Sequence, residues 1–253
     1  MSGISRGRYV VRFAESEADV RAAQALRYKA FIQASGAQAG GVRADGIEAD
    51  DFDEACTHVL VEEAASGRLV CCFRLLTLAD GGEINRSYAA QYYELSGLSS
   101  FDAPMVEMGR FCVDPACHDP DIPRIAWAAL TRFVDDNGVR MLFGCSSFKG
   151  TETEAYRDAF ALLKERHLGP KRFLPKVKAP NVFRFAQRLR REPDARRAQQ
   201  GMPPLLRSYL LMGGWVSDHA VVDRDLNTLH VFTGLDVAAI PPARKRLLRA
   251  VVG

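Results

Sequence analysis

Two short stretches of this 253-residue sequence hold charge in patterns that could do chemistry. The first is Glu48-Ala49-Asp50-Asp51-Phe52-Asp53, an acidic run just ahead of a β-like segment. Clustered carboxylates suit a cationic substrate or a metal ion. The metal is the poorer fit, because only His58 stands nearby and the spacing lacks the glycine and closing glutamate of a calcium loop. A solvated acidic loop is the alternative. The second stretch is Glu107-Met108-Gly109-Arg110-Phe111-Cys112-Val113-Asp114-Pro115. Glu107 and Arg110 interrupt an apolar strand pattern, where a charge is costly unless it is paired or lines a site. Residues three apart on a strand face opposite ways unless a bulge intervenes, and Gly109 is a natural bulge residue. A bulge would aim a backbone N–H at a substrate carbonyl oxygen while Glu107 takes a proton from an attacking amine. A plain Glu107–Arg110 salt bridge is the other reading.

The elements that must position these residues follow from periodicity. Val20, Ala23, Leu26, Arg27, Ala30 and Phe31 predict an amphipathic helix over residues 17–34, followed by a polar loop from Ser35 to Asp53. Thr57–Glu62 and Leu69–Leu76 flank an Ala65-Ser66-Gly67 turn and predict a hairpin. Met105–Val113 reads as a strand, Ile125–Val134 as a helix closed by Asn137-Gly138, and Met141–Cys145 as a short buried strand. A helix from Thr153 to Arg166, capped by Thr153, and strands at Ser208–Met212 and Thr228–Thr233 complete the expectation. The pattern is mixed α/β around one central sheet, in a single domain over 1–253, without the G-x-G-x-x-G turn of a dinucleotide fold. A charged excursion at 188–204 and a basic tail at 241–253 are expected to stand apart.

Composition narrows the class. The chain is 47% hydrophobic and 26% charged, which sets aside disordered and fibrous proteins. No apolar run approaches the ~20 residues of a membrane span. Met1 to Tyr9 lacks the apolar core of a secretory signal, so a cytoplasmic location is expected. Cys56, Cys71, Cys72, Cys112, Cys117 and Cys145 form no C-x-x-C pair, and reduced core thiols are expected, with Cys145 as a nucleophile the alternative. No metal is expected. Between Lys164 and Arg197 the basic residues, among them Lys171, Arg172, Lys176, Lys178, Arg184 and Arg188, outnumber Glu165, Glu192 and Asp194. Arg244, Lys245, Arg246 and Arg249 form a second basic cluster. Such patches attract acidic partners or are simply solvated helices.

The sequence resembles the GNAT-class L-ornithine N-alpha-acyltransferases of ornithine-lipid synthesis, relatives of the acyl-homoserine-lactone synthases. The stretches that carry the likeness are Arg27-Tyr28-Lys29-Ala30-Phe31, Glu48 to Asp53, Cys72-Phe73-Arg74-Leu75-Leu76, Glu107 to Pro115, Leu142 to Phe148, Leu205 to Leu210 and Leu229 to Thr233. The resemblance implies a GNAT fold, a central mixed β-sheet with a bulged strand flanked by helices. It implies transfer of a 3-hydroxyacyl group from acyl carrier protein to the α-amine of L-ornithine, giving lyso-ornithine lipid. Arg27, Phe31, Glu48, Asp50, Asp53, Arg74, Glu107 and Arg110 match the charged and aromatic active-site positions of the relatives. The tryptophan that the synthases place after the first helix is absent, with Ser35 and Gly36 in that region.

Ornithine brings two amines and a carboxylate. Glu48, Asp50 and Asp53 are candidates for its side-chain ammonium, Arg74 or Arg110 for its carboxylate, and Glu107 for the base, acting directly or through a water. A direct transfer is expected, with no covalent intermediate and no bound cofactor. Other GNAT enzymes hold coenzyme A pyrophosphate on a glycine-rich turn, but here the segment is Cys117-His118-Asp119-Pro120-Asp121-Ile122-Pro123-Arg124. That departure favours a phosphopantetheine arm on an acidic carrier, docked on the Lys171–Arg188 cluster. The basic tail suggests peripheral contact with an anionic inner-membrane surface. The alternatives are an acyl-homoserine-lactone or N-acyl amino acid synthase with the same chemistry, and a non-catalytic basic module; nucleic acid is not expected, because aromatics do not interleave the basic segments.

Overall fold

A computed structural model describes residues 4–34 and 46–250, with only the backbone at Arg6. In chain order the elements begin with β1 (Ile4–Arg6), β2 (Tyr9–Phe13), α1 (Glu17–Arg27), α2 (Phe52–Ala55), β3 (Thr57–Glu63) and β4 (Leu69–Leu78). The middle of the chain holds β5 (Tyr93–Glu94), β6 (Met105–Val113), α3 (Asp121–Asp136), β7 (Met141–Lys149) and α4 (Arg157–Arg166). Then follow β8 (Lys176–Val177), β9 (Val182–Phe183), α5 (Phe185–Arg188), α6 (Ala195–Gly201), α7 (Pro204–Leu211), β10 (Trp215–Val216), β11 (Ala220–Asp223), β12 (Thr228–Asp236) and α8 (Pro242–Arg249). Residues 35–45 of the expected Ser35–Asp53 loop, with Ser35 and Gly36, lie outside the described residues, as do 1–3 and the last three of the tail.

The chain divides into two compact units. The first comprises Met1–Thr77, Met108–Val139 and Pro242–Gly253. Its strands run in the order β1-β2-β3-β4-β6, with the β1–β4 neighbours antiparallel. Helix α1 starts where Ser16 accepts the Asp19 N–H at 3.2 Å, with Glu17 and Asp19 suiting the positive end of the helix. It buries Ala23 and Leu26 against Leu60, Cys72 and Cys112, and Phe31 packs on the same cluster from the wider π-type turn Tyr28–Gln33 that continues the helix. Burial of such side chains contributes about 1.5–3 kcal/mol for each large aliphatic group.

The second unit comprises Leu78–Glu107 and Arg140–Pro241. Its strands run β6-β7-β12-β11-β9, with β10 also on β12. Met105–Glu107 pairs with Met141–Phe143 in parallel, and β7 pairs antiparallel with β12 over its whole length, making the sheet mixed but mostly antiparallel. Its core gathers Phe148, Phe160, Phe183, Phe185, Leu206 and Val231 beneath α4 and α7.

Three sequence expectations change. Ser208–Met212 is not a strand: Pro204 opens α7, since a proline costs nothing where the N–H has no helical partner, and Leu206 and Tyr209 then turn inward at helical spacing. Thr153 does not cap a helix; it begins a 3-10 turn, and α4 starts at Arg157. The excursion at 188–204 is partly ordered as α6, whose Asp194 accepts the Arg197 N–H at 2.9 Å and whose Ala198 is buried. The six cysteines are free thiols, with Cys71, Cys72 and Cys112 buried and Cys56, Cys117 and Cys145 half-buried.

Between β4 and β6 the segment from Ala79 to Phe101 folds back on itself through the pairing of the Gly81 N–H with the Phe101 carbonyl at 2.8 Å. A Cβ at Gly81 would stand 1.9 Å from the Leu98 carbonyl oxygen, whereas one at Gly82 meets only the movable Asp80 side chain at 2.9 Å. Gly81→Ala is therefore expected to lower stability by at least about 2 kcal/mol and Gly82→Ala by less than half as much. Urea denaturation of the two variants measures the difference, and equal losses would contradict the close approach.

Candidate active site

The first unit carries a closed ring of alternating charges. Arg27, at the end of α1, donates from Nη1 and Nη2 to the two oxygens of Asp53 at 2.6 and 3.0 Å and from Nε to Glu48. Arg74, on β4, donates to both oxygens of Asp50 at 2.5 and 2.8 Å and to Asp53 at 2.7 Å. Arg110, on β6, closes the circuit with Glu48 and Asp50, each at 3.0 Å. Each carboxylate bridges two guanidinium groups, and three cations balance three anions. The bidentate forks explain why arginine rather than lysine occupies these positions.

Local sequence accounts for the assembly. Gln24, one helical turn before Arg27, donates to Asp53 at 2.9 Å, and the Glu48 N–H donates to the Gln24 carbonyl. The Asp50 side chain accepts the Phe52 N–H at 3.1 Å, which turns the chain into α2 and aims Asp53 inward. His58 on β3 lies 3.0 Å from the Asp53 carbonyl oxygen, and the Phe52 ring lies 5.5 Å from the Arg74 guanidinium. Gln24 carried a legible signal, three residues from Arg27 on the same helix face; the supporting parts of His58 and Phe52 depend on tertiary contact and have none.

Exposure grades the ring. Side chains of Arg27 and Arg74 are 1% and 3% exposed, those of Glu48, Arg110 and Asp50 11%, 12% and 24%. The deep half is sealed from solvent, while the outer half is partly exposed. Burial opposes charge on Asp53, yet Arg27 and then Gln24 and Arg74 hold its carboxyl well below the ordinary range. Asp50 is likewise held low against its burial by Arg74 and Arg110. Burial keeps the His58 imidazole low and therefore neutral near pH 7.

The strand carrying Arg110 changes conformation at that residue. Its φ is +54°, in the left-handed region that costs a non-glycine residue about 1–2 kcal/mol. The irregularity expected at Gly109 thus falls one residue later, and the ion pairs of Arg110 help offset its strain. A Cβ at Gly109 would meet Arg74 at an ordinary 3.6 Å.

In the second unit Glu107 is 4% exposed. Its Oε2 accepts the Tyr88 N–H and its Oε1 the Ala89 N–H, both at 2.7 Å. The two amide donors fix the orientation of the carboxyl group. Burial, and then the charge of Glu107, push the Tyr209 phenol far up. The Tyr88-Ala89 amides had no sequence signal. Lys171, Arg172, Lys176, Lys178, Arg184 and Arg188 are all exposed in this unit, with Lys178 donating to the Ala90 carbonyl and Lys176 3.4 Å from Glu94. Phe31 belongs to the apolar cluster under α1.

The ring has a defined acid sensitivity. Because Asp50 and Asp53 have lower folded than unfolded values, their contribution is full above about pH 4 and is lost as pH falls below it. The urea midpoint should drop between pH 7 and pH 3, and Asp53→Asn should flatten that dependence; an equal slope in the variant would refute the assignment. Arg27→Leu, which leaves buried carboxylates short of a partner, should cost about 3–5 kcal/mol at pH 7 in the same titration.

Similar proteins agree with this architecture. An acetyltransferase (GNAT) domain model matches residues 26–128. The L-ornithine N(alpha)-acyltransferase of Rhodobacter capsulatus is 32% identical over 239 residues, covering 92% of this chain and 91% of that protein. The enzyme of the same name from Agrobacterium fabrum is 28% identical, covering 92% and 83%. A solved CoA-dependent acyl-homoserine lactone synthase, BjaI, superposes with a TM-score of 0.50 at 14% identity, covering 94% of this chain and 83% of that one, which supports the fold. A third of the residues shared end to end with a curated enzyme, on a mixed sheet flanked by helices, makes the chain a GNAT-fold acyltransferase belonging to the L-ornithine N(alpha)-acyltransferase family.

Proposed function

We propose that this enzyme transfers a 3-hydroxyacyl group from the phosphopantetheine arm of acyl carrier protein to the α-amine of L-ornithine, forming lyso-ornithine lipid. The observation that carries the reading is the arginine–carboxylate ring, whose outer members offer separate partners for both charged ends of an amino acid, in a chain related along its length to enzymes named for ornithine. The substrate carboxylate pairs with Arg110, and its side-chain ammonium with Asp50 or Glu48. Asp53, Arg27 and Arg74 hold those partners in place, and Phe31 supports them from the apolar cluster. Exchange of one ion pair for another retains the neutrality of the ring.

Glu107 is the base. An α-ammonium must lose its proton before attack, and a carboxylate held in place by two amides is the group assigned to receive it, directly or through a water. The amine nitrogen bonds to the thioester carbonyl carbon and the carbon–sulfur bond breaks; of the two protons the ammonium sheds, one passes through Glu107 to solvent and the other leaves with the sulfur as a thiol. No acyl-enzyme forms, so Cys145 has no part.

The donor assignment draws on α3. Its first turn holds Asp121, and Asp119 just before it accepts the Asp121 N–H at 2.9 Å and the Tyr9 hydroxyl at 3.0 Å. A helix start already occupied by carboxylates disfavours a nucleotide pyrophosphate. An acidic carrier protein would dock on Lys171, Arg172, Lys176, Lys178, Arg184 and Arg188. The work is done in the cytoplasm, with peripheral contact to anionic lipid through α8, where Arg244 and Arg246 flank Leu247, 61% exposed. No helix among the described residues is long and apolar enough to cross a membrane.

Purified protein supplied with 3-hydroxyacyl carrier protein and a panel of amines should acylate L-ornithine; acylation of S-adenosylmethionine instead would select the lactone-synthase reading. Glu107→Gln should lower kcat at least about 100-fold. Arg184→Glu combined with Arg188→Glu should raise KM for the carrier roughly tenfold at low salt with kcat unchanged, and the difference should shrink at high salt. Full activity of Glu107→Gln would remove the base.

A further inference from the structure

The turn segment that clasps Glu107 also carries three tyrosines with unequal surroundings. Tyr93 is buried, donates to the His230 carbonyl at 2.8 Å and meets Phe232 at 5.8 Å. Tyr88 and Tyr92 are only half-buried, and the Tyr88 hydroxyl donates to the Tyr92 hydroxyl at 3.2 Å with the rings 5.4 Å apart. Tyr92 in turn stands edge-on to the His230 ring at 5.0 Å. Phe143, the register partner of Glu107, stacks on Phe232 at 5.8 Å. Two half-buried phenols thus pair through their hydroxyls, with Tyr92 against the His230 ring, on the segment whose amides hold the carboxylate.

We infer that Tyr88 and Tyr92 recognise the 3-hydroxyl of the acyl donor. The inference rests on the donor proposed above and adds the residues that select it. In a 3-hydroxyacyl thioester the hydroxyl is two carbons from the reacting carbonyl, so its reader must lie within a few ångströms of the reaction. The Tyr88 amide nitrogen is 2.7 Å from Glu107 Oε2, which ties this side chain to the proposed base through its own backbone. A phenol offers an apolar ring to the hydrocarbon chain and a hydroxyl that both donates and accepts. The Tyr88–Tyr92 pair can open to bridge a substrate hydroxyl, whereas an unsubstituted chain offers the phenols no polar partner.

The test compares 3-hydroxyacyl and unsubstituted acyl carrier proteins of equal chain length, with ornithine as acceptor, for the wild type, Tyr88→Phe and Tyr92→Phe. Thermal melting checks that each variant folds, and binding of non-transferable thioether analogues of both donors is measured in parallel. The wild type is expected to favour the hydroxylated donor, and each variant to lower the ratio of kcat/KM values between donors about five- to tenfold. The same loss of preference is expected in binding. An indifferent wild type, an unchanged ratio, or equal losses on both donors would overturn the inference. Hydroxyl-selective binding that the variants lose, in a wild type that leaves ornithine unacylated, would uphold the tyrosines and reject the acceptor alone.

Discussion

Everything in the first unit is organised around the buried pairing of Arg27 with Asp53. A guanidinium 1% exposed is tolerated only because each of its donating edges finds an oxygen, and Asp53 is the acceptor that meets two of them. From that pair the remaining members follow in order. The Asp53 Oδ1 that accepts from Arg27 also accepts from Arg74, Arg74 fixes Asp50, and Arg110 completes the circuit through Glu48 and Asp50. The end of α1, the segment entering α2, β4 and β6 are thereby held to one another by geometry as well as by apolar packing.

The second unit treats its key acid differently. Glu107 accepts two main-chain amides, which ties its position to the conformation of the Tyr88-Ala89 turn. The same segment closes on itself where Gly81 approaches the Leu98 carbonyl. Main-chain donors fix one carboxylate here, whereas forked guanidinium pairs fix three in the other unit.

Much of the scaffold was legible because periodicity and turn chemistry agree. The hairpin of β3 and β4, β6, α3 and β12 lie within a few residues of their expected limits. The ring residues were legible as charges set against apolar patterns, though their mutual pairing was not, since residues from 27 to 110 meet only after folding. Where tertiary context governs, local reading failed: Ser208–Met212 has strand-like composition, yet Pro204 upstream commits it to a helix. The short strands β1, β2 and β9 to β11 lack enough length for a pattern, and the amides that hold Glu107 belong to the backbone, which no residue type announces.

Because the six charges of the ring close on themselves, they act at a distance as a compact multipole, whose field dies away within a side chain's length. The basic surface from Lys171 to Arg188 is instead an open excess of one sign, felt out to a Debye length of about 8 Å in physiological salt. The two patterns therefore answer salt differently: added ions screen the open surface charge, while the closed ring, with its deep members buried, stays insulated from them.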